Sequence, residues 1–84
     1  MQADEVKALV EAHIPNSEVS VEVSGSSYNI TVVSNAFEGL SSLKKQQLVY
    51  GALNQQIAAG AIHAVNMRTY TEAEWQKAKR FSIQ

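Results

Sequence analysis

The sequence predicts an α+β fold, a two-layer sandwich built on a three-stranded mixed sheet, and three observations carry that reading. Residues 18–24 alternate strictly, with Val19, Val21 and Val23 on one side and Glu18, Ser20, Glu22 and Ser24 on the other. That is the pattern of a strand with one buried and one solvated face. A long helical segment separates two further β-rich runs, Tyr28 to Val33 and Ile62 to Tyr70. Those two runs must therefore join by a crossover and lie parallel. Helical periodicity closes the chain at both ends, giving the order α-β-β-α-β-α with helices packed on one face of the sheet.

Val6, Leu9, Val10 and His13 recur at spacings of a single helical face, and Asp4 or Ala3 opens this helix. Pro15 prevents its continuation. Gly25, Ser26 and Ser27 form the turn of an antiparallel hairpin between the first two strands. Residues 34–39 read as a loop bending at Gly39. From about Ser41 a helix buries Leu43, Val49, Leu53 and Ile57 and stops at Gly60, a residue suited to the position after a helix. The third strand places His63, Val65, Met67 and Thr69 on its core side and Ala64, Asn66, Arg68 and Tyr70 opposite. Thr71 and Glu74 have the spacing of a capping box for the last helix, which turns Trp75 and Ala78 inward and Lys77, Lys79 and Arg80 outward.

At 84 residues and 45% hydrophobic content, the chain is expected to fold over 1–84 as a single domain with a thin core. There is little room for a deep substrate cavity, so a non-enzymatic role is expected. Met1 to Glu5 is acidic where a secretion signal would be positive, and no apolar run approaches a membrane span. A soluble, cytoplasmic protein is expected, monomeric or weakly dimeric when alone. The formal net charge of −1 conceals a polarity: residues 1–38 carry −5 and residues 39–84 carry +4. The two halves therefore present different fields to partners.

No phosphate-binding glycine loop, zinc-protease helix motif or nucleophile elbow is present. With no cysteine in the chain, any metal chemistry must use imidazole, carboxylate or a partner's ligands. His13, at the end of the first helix, reads as a partly buried histidine favoured by the helix dipole. His63 stands at the mouth of a strand just after a helix stop, a placement that suits either a single metal bond or a packed core histidine. Lys44 and Lys45 sit at a helix start, where the dipole disfavours cations, and point to an external anion or acidic partner.

Phe37-Glu38-Gly39, Lys44-Lys45-Gln46-Gln47, Val49-Tyr50-Gly51, Ile62-His63-Ala64-Val65 and Thr69 through Trp75 occur in one order, and together they resemble the BolA family over essentially the whole chain. Within that family they are similar to the branch called IbaG or YrbA. The resemblance implies a type II KH-like fold and partnership with a monothiol glutaredoxin. In such pairs a [2Fe-2S] cluster is shared by the glutaredoxin cysteine, a glutathione thiol and ligands of the BolA protein. His63 falls on the family's main ligand. The second ligand position, a histidine or cysteine before the aromatic residue of strand two, is occupied here by Ser27, a poor iron ligand.

Two functions follow as expectations. The first is an adaptor in iron–sulfur trafficking or iron and stress regulation that docks a glutaredoxin and uses His63. The second is a DNA-binding transcription regulator of stress response and cell morphology, using Lys44, Lys45 and Arg68 against phosphates, with Lys77, Lys79 and Arg80 in support. The KH-type GxxG loop is missing, which ranks it second.

Overall fold

The computed structural model describes residues 2–62 and 64–80, and the backbone of residues 81 and 82. Its elements are α1 (Ala3–His13), β1 (Glu18–Ser24), β2 (Ser27–Val33), a 3-10 turn (Asn35–Phe37), α2 (Ser42–Ala58), β3 (Ala64–Tyr70) and α3 (Glu72–Ser82). The sheet order is β1-β2-β3, with β1 antiparallel and β3 parallel to the central β2. Fold class, strand directions and the helical crossover are as the sequence predicts.

Local chemistry accounts for the boundaries. The Gln2 N–H donates to Glu5 Oε1 at 2.9 Å at the start of α1. After α1, Pro15 cannot continue a helix, and Asn16 turns the chain at a left-handed φ of 52°. Gly25, at φ 60°, makes a two-residue hairpin turn that pairs Ser24 with Ser27. At the end of α2, Gly60 N–H donates to the Ile57 carbonyl at 3.1 Å and Ala61 N–H to Gln56 at 2.9 Å. With Gly60 at φ 78° this is a Schellman closure, which explains the stop.

The core joins Val6, Val10 and Ile14 of the α1 segment to Val19, Tyr28, Ile30 and Val32 of the sheet, with Phe37, Val49, Leu53 and Ile62 filling between. Val65 and Met67 of β3 pack against it, on the side expected for them. Both α1 and α2 thus cover the same face of the sheet. The α3 helix folds back onto the end of β3, where the Trp75 and Tyr70 rings lie 5.2 Å apart.

Several placements differ from expectation. Leu43 is 63% exposed. It lies about 120° around the helix from Val49, so it sits on the flank of α2 with Tyr50 rather than on its core face. Val23 continues the apolar alternation of β1 but is 42% exposed, because it lies near the turn of an edge strand. Residues 34–39 are organised around the 3-10 turn, with Phe37 fully buried and Ser34 Oγ accepting from Ala36 N–H and donating to the Pro15 carbonyl, both at 3.1 Å. Ser27 belongs to β2 rather than to the turn, and β3 begins at Ala64 rather than Ile62.

His13 is exposed, not partly buried. Its ring lies over Gly51 of α2, where an added Cβ would stand 3.0 Å from Nε2. Gly51→Ala is expected to stabilise the protein by about 0.5 kcal/mol, because alanine gains about 0.5–1 kcal/mol in a helix interior and an exposed imidazole can swing aside. Thermal unfolding would show this as a small rise in Tm. A fall would mean that the His13–Gly51 contact holds α1 against α2.

Candidate site at the hairpin end of the sheet

β-Sheet register sets Ser27, one of the two positions singled out for metal binding, beside Ala64 at the start of β3. Ser27, half-buried, pairs with Ser24 across the hairpin and with Ala64 at the start of β3. Ala64 follows His63 in the chain; His63 itself lies outside the described residues. Among the described residues, no group of three or more histidine, aspartate or glutamate side chains converges to hold a metal. The Ser27 hydroxyl adds only a neutral oxygen, a weak donor for iron. The described donor set therefore does not fit a cluster held by this chain alone. Most ligands would have to come from a partner.

The three candidate cations do not form one patch. Lys44 is exposed in the first turn of α2, where its N–H donates to the Ser41 cap at 3.3 Å. Lys45 lies nearer the core side of the helix, with its side chain only 13% exposed and its Nζ 3.2 Å from Glu74 Oε1. The anion that Lys45 called for is thus internal, 29 residues away on α3. Arg68 is exposed in the outward register of β3, on the side of the sheet away from α2. A phosphate backbone following Lys44 would not meet Arg68 on the same face.

Glu74 is a junction that the capping motif revealed only in part. Its Oε1 accepts from Thr71 N–H at 2.8 Å as well as from Lys45, while Thr71 Oγ1 accepts from Glu74 N–H at 3.2 Å. The Thr71 N–H, then Lys45, hold the Glu74 carboxyl below its ordinary pKa. A depressed carboxylate stabilises the fold above its unfolded pKa and loses that contribution as pH falls through the folded value. Glu74→Gln keeps the cap geometry and removes the charge. Wild type is expected to be more stable than Glu74→Gln at neutral pH, and the gap should close in acid. Equal urea midpoints at both pH values would show that the ion pair adds nothing.

Asn35 and Glu72 form a second tie that sequence reasoning missed. Asn35 Nδ2 donates to Glu72 Oε2 at 2.8 Å, fastening the 3-10 turn to the start of α3. No local spacing signals a pair 37 residues apart. The open face of the sheet, by contrast, was implicit in the alternation. Ser20, Thr31 and Arg68 make one row across it and Glu22, Asn29 and Asn66 the next, with Asn66 Nδ2 donating to Asn29 Oδ1 at 3.2 Å. These rows line a shallow depression of about 770 Å³.

Fold and site together define a class: a small α+β domain with helices over one face of a mixed three-stranded sheet, the other face open and polar. A family profile described as BolA-like protein matches residues 3–74. The chain belongs to the BolA-like family, and it resembles the IbaG branch that its motifs indicated. It is 37% identical over 82 residues to the acid stress protein IbaG of Escherichia coli (strain K12), covering 98% of each chain. It is also 37% identical over 81 residues to an uncharacterized protein of the rpoN-murA intergenic region of Acinetobacter guillouiae, covering 96% of this chain and 98% of that one. Among solved structures, a BolA homologue from Coxiella burnetii superposes with a TM-score of 0.79 at 31% identity, covering 90% of this chain and 97% of that chain.

Proposed function

We propose that this protein is a non-enzymatic adaptor that docks a monothiol glutaredoxin and contributes His63 to a [2Fe-2S] cluster whose thiolates come from the glutaredoxin and glutathione. The observation that carries the reading is the Ser27–Ala64 pairing, which joins the hairpin to the start of β3, and Ala64 is the residue that follows His63 in the chain. The division of labour follows from composition: a chain without cysteine supplies a surface and an imidazole, and the partner supplies thiolates. When bound, the cluster would bring iron-centred redox and sulfide-transfer chemistry. This chain's part is to orient one nitrogen donor and cover one side of the site. Membership of the BolA-like family and the likeness to an acid stress protein support a role in iron or stress regulation rather than in catalysis.

The test is co-reconstitution of the two proteins with iron, sulfide and glutathione. The heterocomplex is expected to elute as one species and to show visible circular dichroism distinct from that of the glutaredoxin alone. A spectrum identical to the glutaredoxin homodimer, with no co-elution, would overturn the proposal. DNA binding has no comparable support, because Lys44, Lys45 and Arg68 are split between two faces and one of them is already paired.

A further inference from the structure

We propose that the free edge of β1 is a docking site for an extended protein segment that alternates basic and β-branched residues and adds to the sheet as a fourth strand. This goes beyond the glutaredoxin reading and uses the opposite edge of the sheet from β3. Among the described residues β1 pairs only with β2, so its other edge carries main-chain N–H and C=O groups without strand partners. Such an edge is the template for strand addition, in which main-chain hydrogen bonds supply affinity and alternate side chains supply specificity.

The side chains of β1 define what would fit. Glu18 and Glu22 are exposed on the outward face, with Ser20 between them. Both carboxylates therefore address the same side of an incoming strand, at alternate positions. On the core side Val23 is 42% exposed and Val21 is only partly buried. A β-branched residue beside them would extend the apolar layer by one strand, and cross-strand pairs of that kind stabilise a sheet. Exposed charge on an edge strand also serves to discourage pairing with other edges. The choice between that role and a docking role turns on the charge of the occupant.

A second copy of this chain is the wrong occupant. In an antiparallel register with Val21 opposite Val21, the two Glu22 side chains become diagonal neighbours. Sliding by one residue on each strand places Glu18 opposite Glu22 or Glu22 opposite Glu22. Every register that overlaps most of the strand and keeps the valines on the core side thus sets carboxylates against each other, and like charges in these positions destabilise pairing. A strand bearing lysine or arginine at alternate positions meets no such conflict and pairs both glutamates.

The experiment uses the full protein and a fluorescein-labelled octapeptide of alternating lysine and valine. Anisotropy titration should show saturable binding, with hydrogen exchange of β1 amides slowed at least tenfold at saturation. N-methylation of alternate peptide nitrogens removes the main-chain donors and keeps the charge; it should weaken binding at least tenfold. The double variant E18K/E22K should lose the lysine–valine peptide and bind a glutamate–valine one. Absence of binding at low salt would overturn the proposal. So would equal binding of the N-methylated or a scrambled peptide, protection confined to elements other than β1, or sedimentation showing that the protein alone dimerises through β1.

Discussion

Replacing Phe37 with alanine is expected to remove about 3–5 kcal/mol of stability, the range for deleting a buried aromatic ring. The side chain is fully buried and belongs to the same core cluster as Ile30 and Val32 of the sheet and Val49 and Leu53 of α2. It belongs to a 3-10 turn that is also anchored by hydrogen bonds, including Ser34 N–H to the Tyr70 carbonyl at 2.9 Å and Asn35 Nδ2 to Glu72 Oε2 at 2.8 Å. Removing the ring therefore leaves a cavity in a close-packed core. An 84-residue domain has a total stability on the order of 4–13 kcal/mol, so this change consumes much of it. Urea unfolding followed by Trp75 fluorescence would measure the loss. Leu43→Ala, at a 63% exposed position of the neighbouring helix, is expected to stay within about 0.5 kcal/mol of wild type. Equal losses at the two positions would contradict the burial pattern.

His63→Ala is expected to abolish the circular dichroism that distinguishes the cluster-bridged heterocomplex from the glutaredoxin alone. The prediction rests on donor chemistry. The chain has no cysteine, and among the described residues no three histidine, aspartate or glutamate side chains converge on a metal position, so the proposal assigns ligation to His63. Ser27→His or Ser27→Cys should act in the opposite direction. It places a competent donor beside Ala64 and is expected to strengthen the bridged cluster about tenfold, or 1.4 kcal/mol. The set of three variants separates ligation from folding, because urea midpoints report stability independently of the cluster. Bands unchanged in His63→Ala would place iron ligation elsewhere. A cluster equally stable in wild type and both Ser27 variants would remove the hairpin from the site.

Much of this molecule is legible in its residue pattern, and the reason is local. Strict alternation over residues 18–24 identifies a half-buried strand because side chains on a pleated backbone repeat every second residue. Thr71 and Glu74 identify a helix start because the cap is made between residues three apart, and both of its hydrogen bonds are present. Gly60 identifies a helix stop because the left-handed φ of 78° needed there disfavours a β-carbon. Even the parallel pairing of β2 and β3 follows from a crossover of helical length.

What remained hidden depends on which element lies across from which. Helical spacing alone did not show that Leu43 stays on an uncovered flank of α2, although its angle from Val49 carried a usable signal. The ion pair of Lys45 with Glu74 and the tie of Asn35 to Glu72 join residues 29 and 37 positions apart, and no short-range pattern encodes such meetings. Arg68 and Lys44 looked like one basic surface in a list of charges; the pleat of β3 turns Arg68 to the face opposite α2. Residue patterning was enough to give the main helices and strands, their order and directions, and the family resemblance. The packed fold alone shows that Lys45 is already paired, which sheet face and edge stay open, and that Ser27 is aligned with Ala64. Those outcomes are set by packing between segments distant in the chain, where periodicity names the faces but not what covers them.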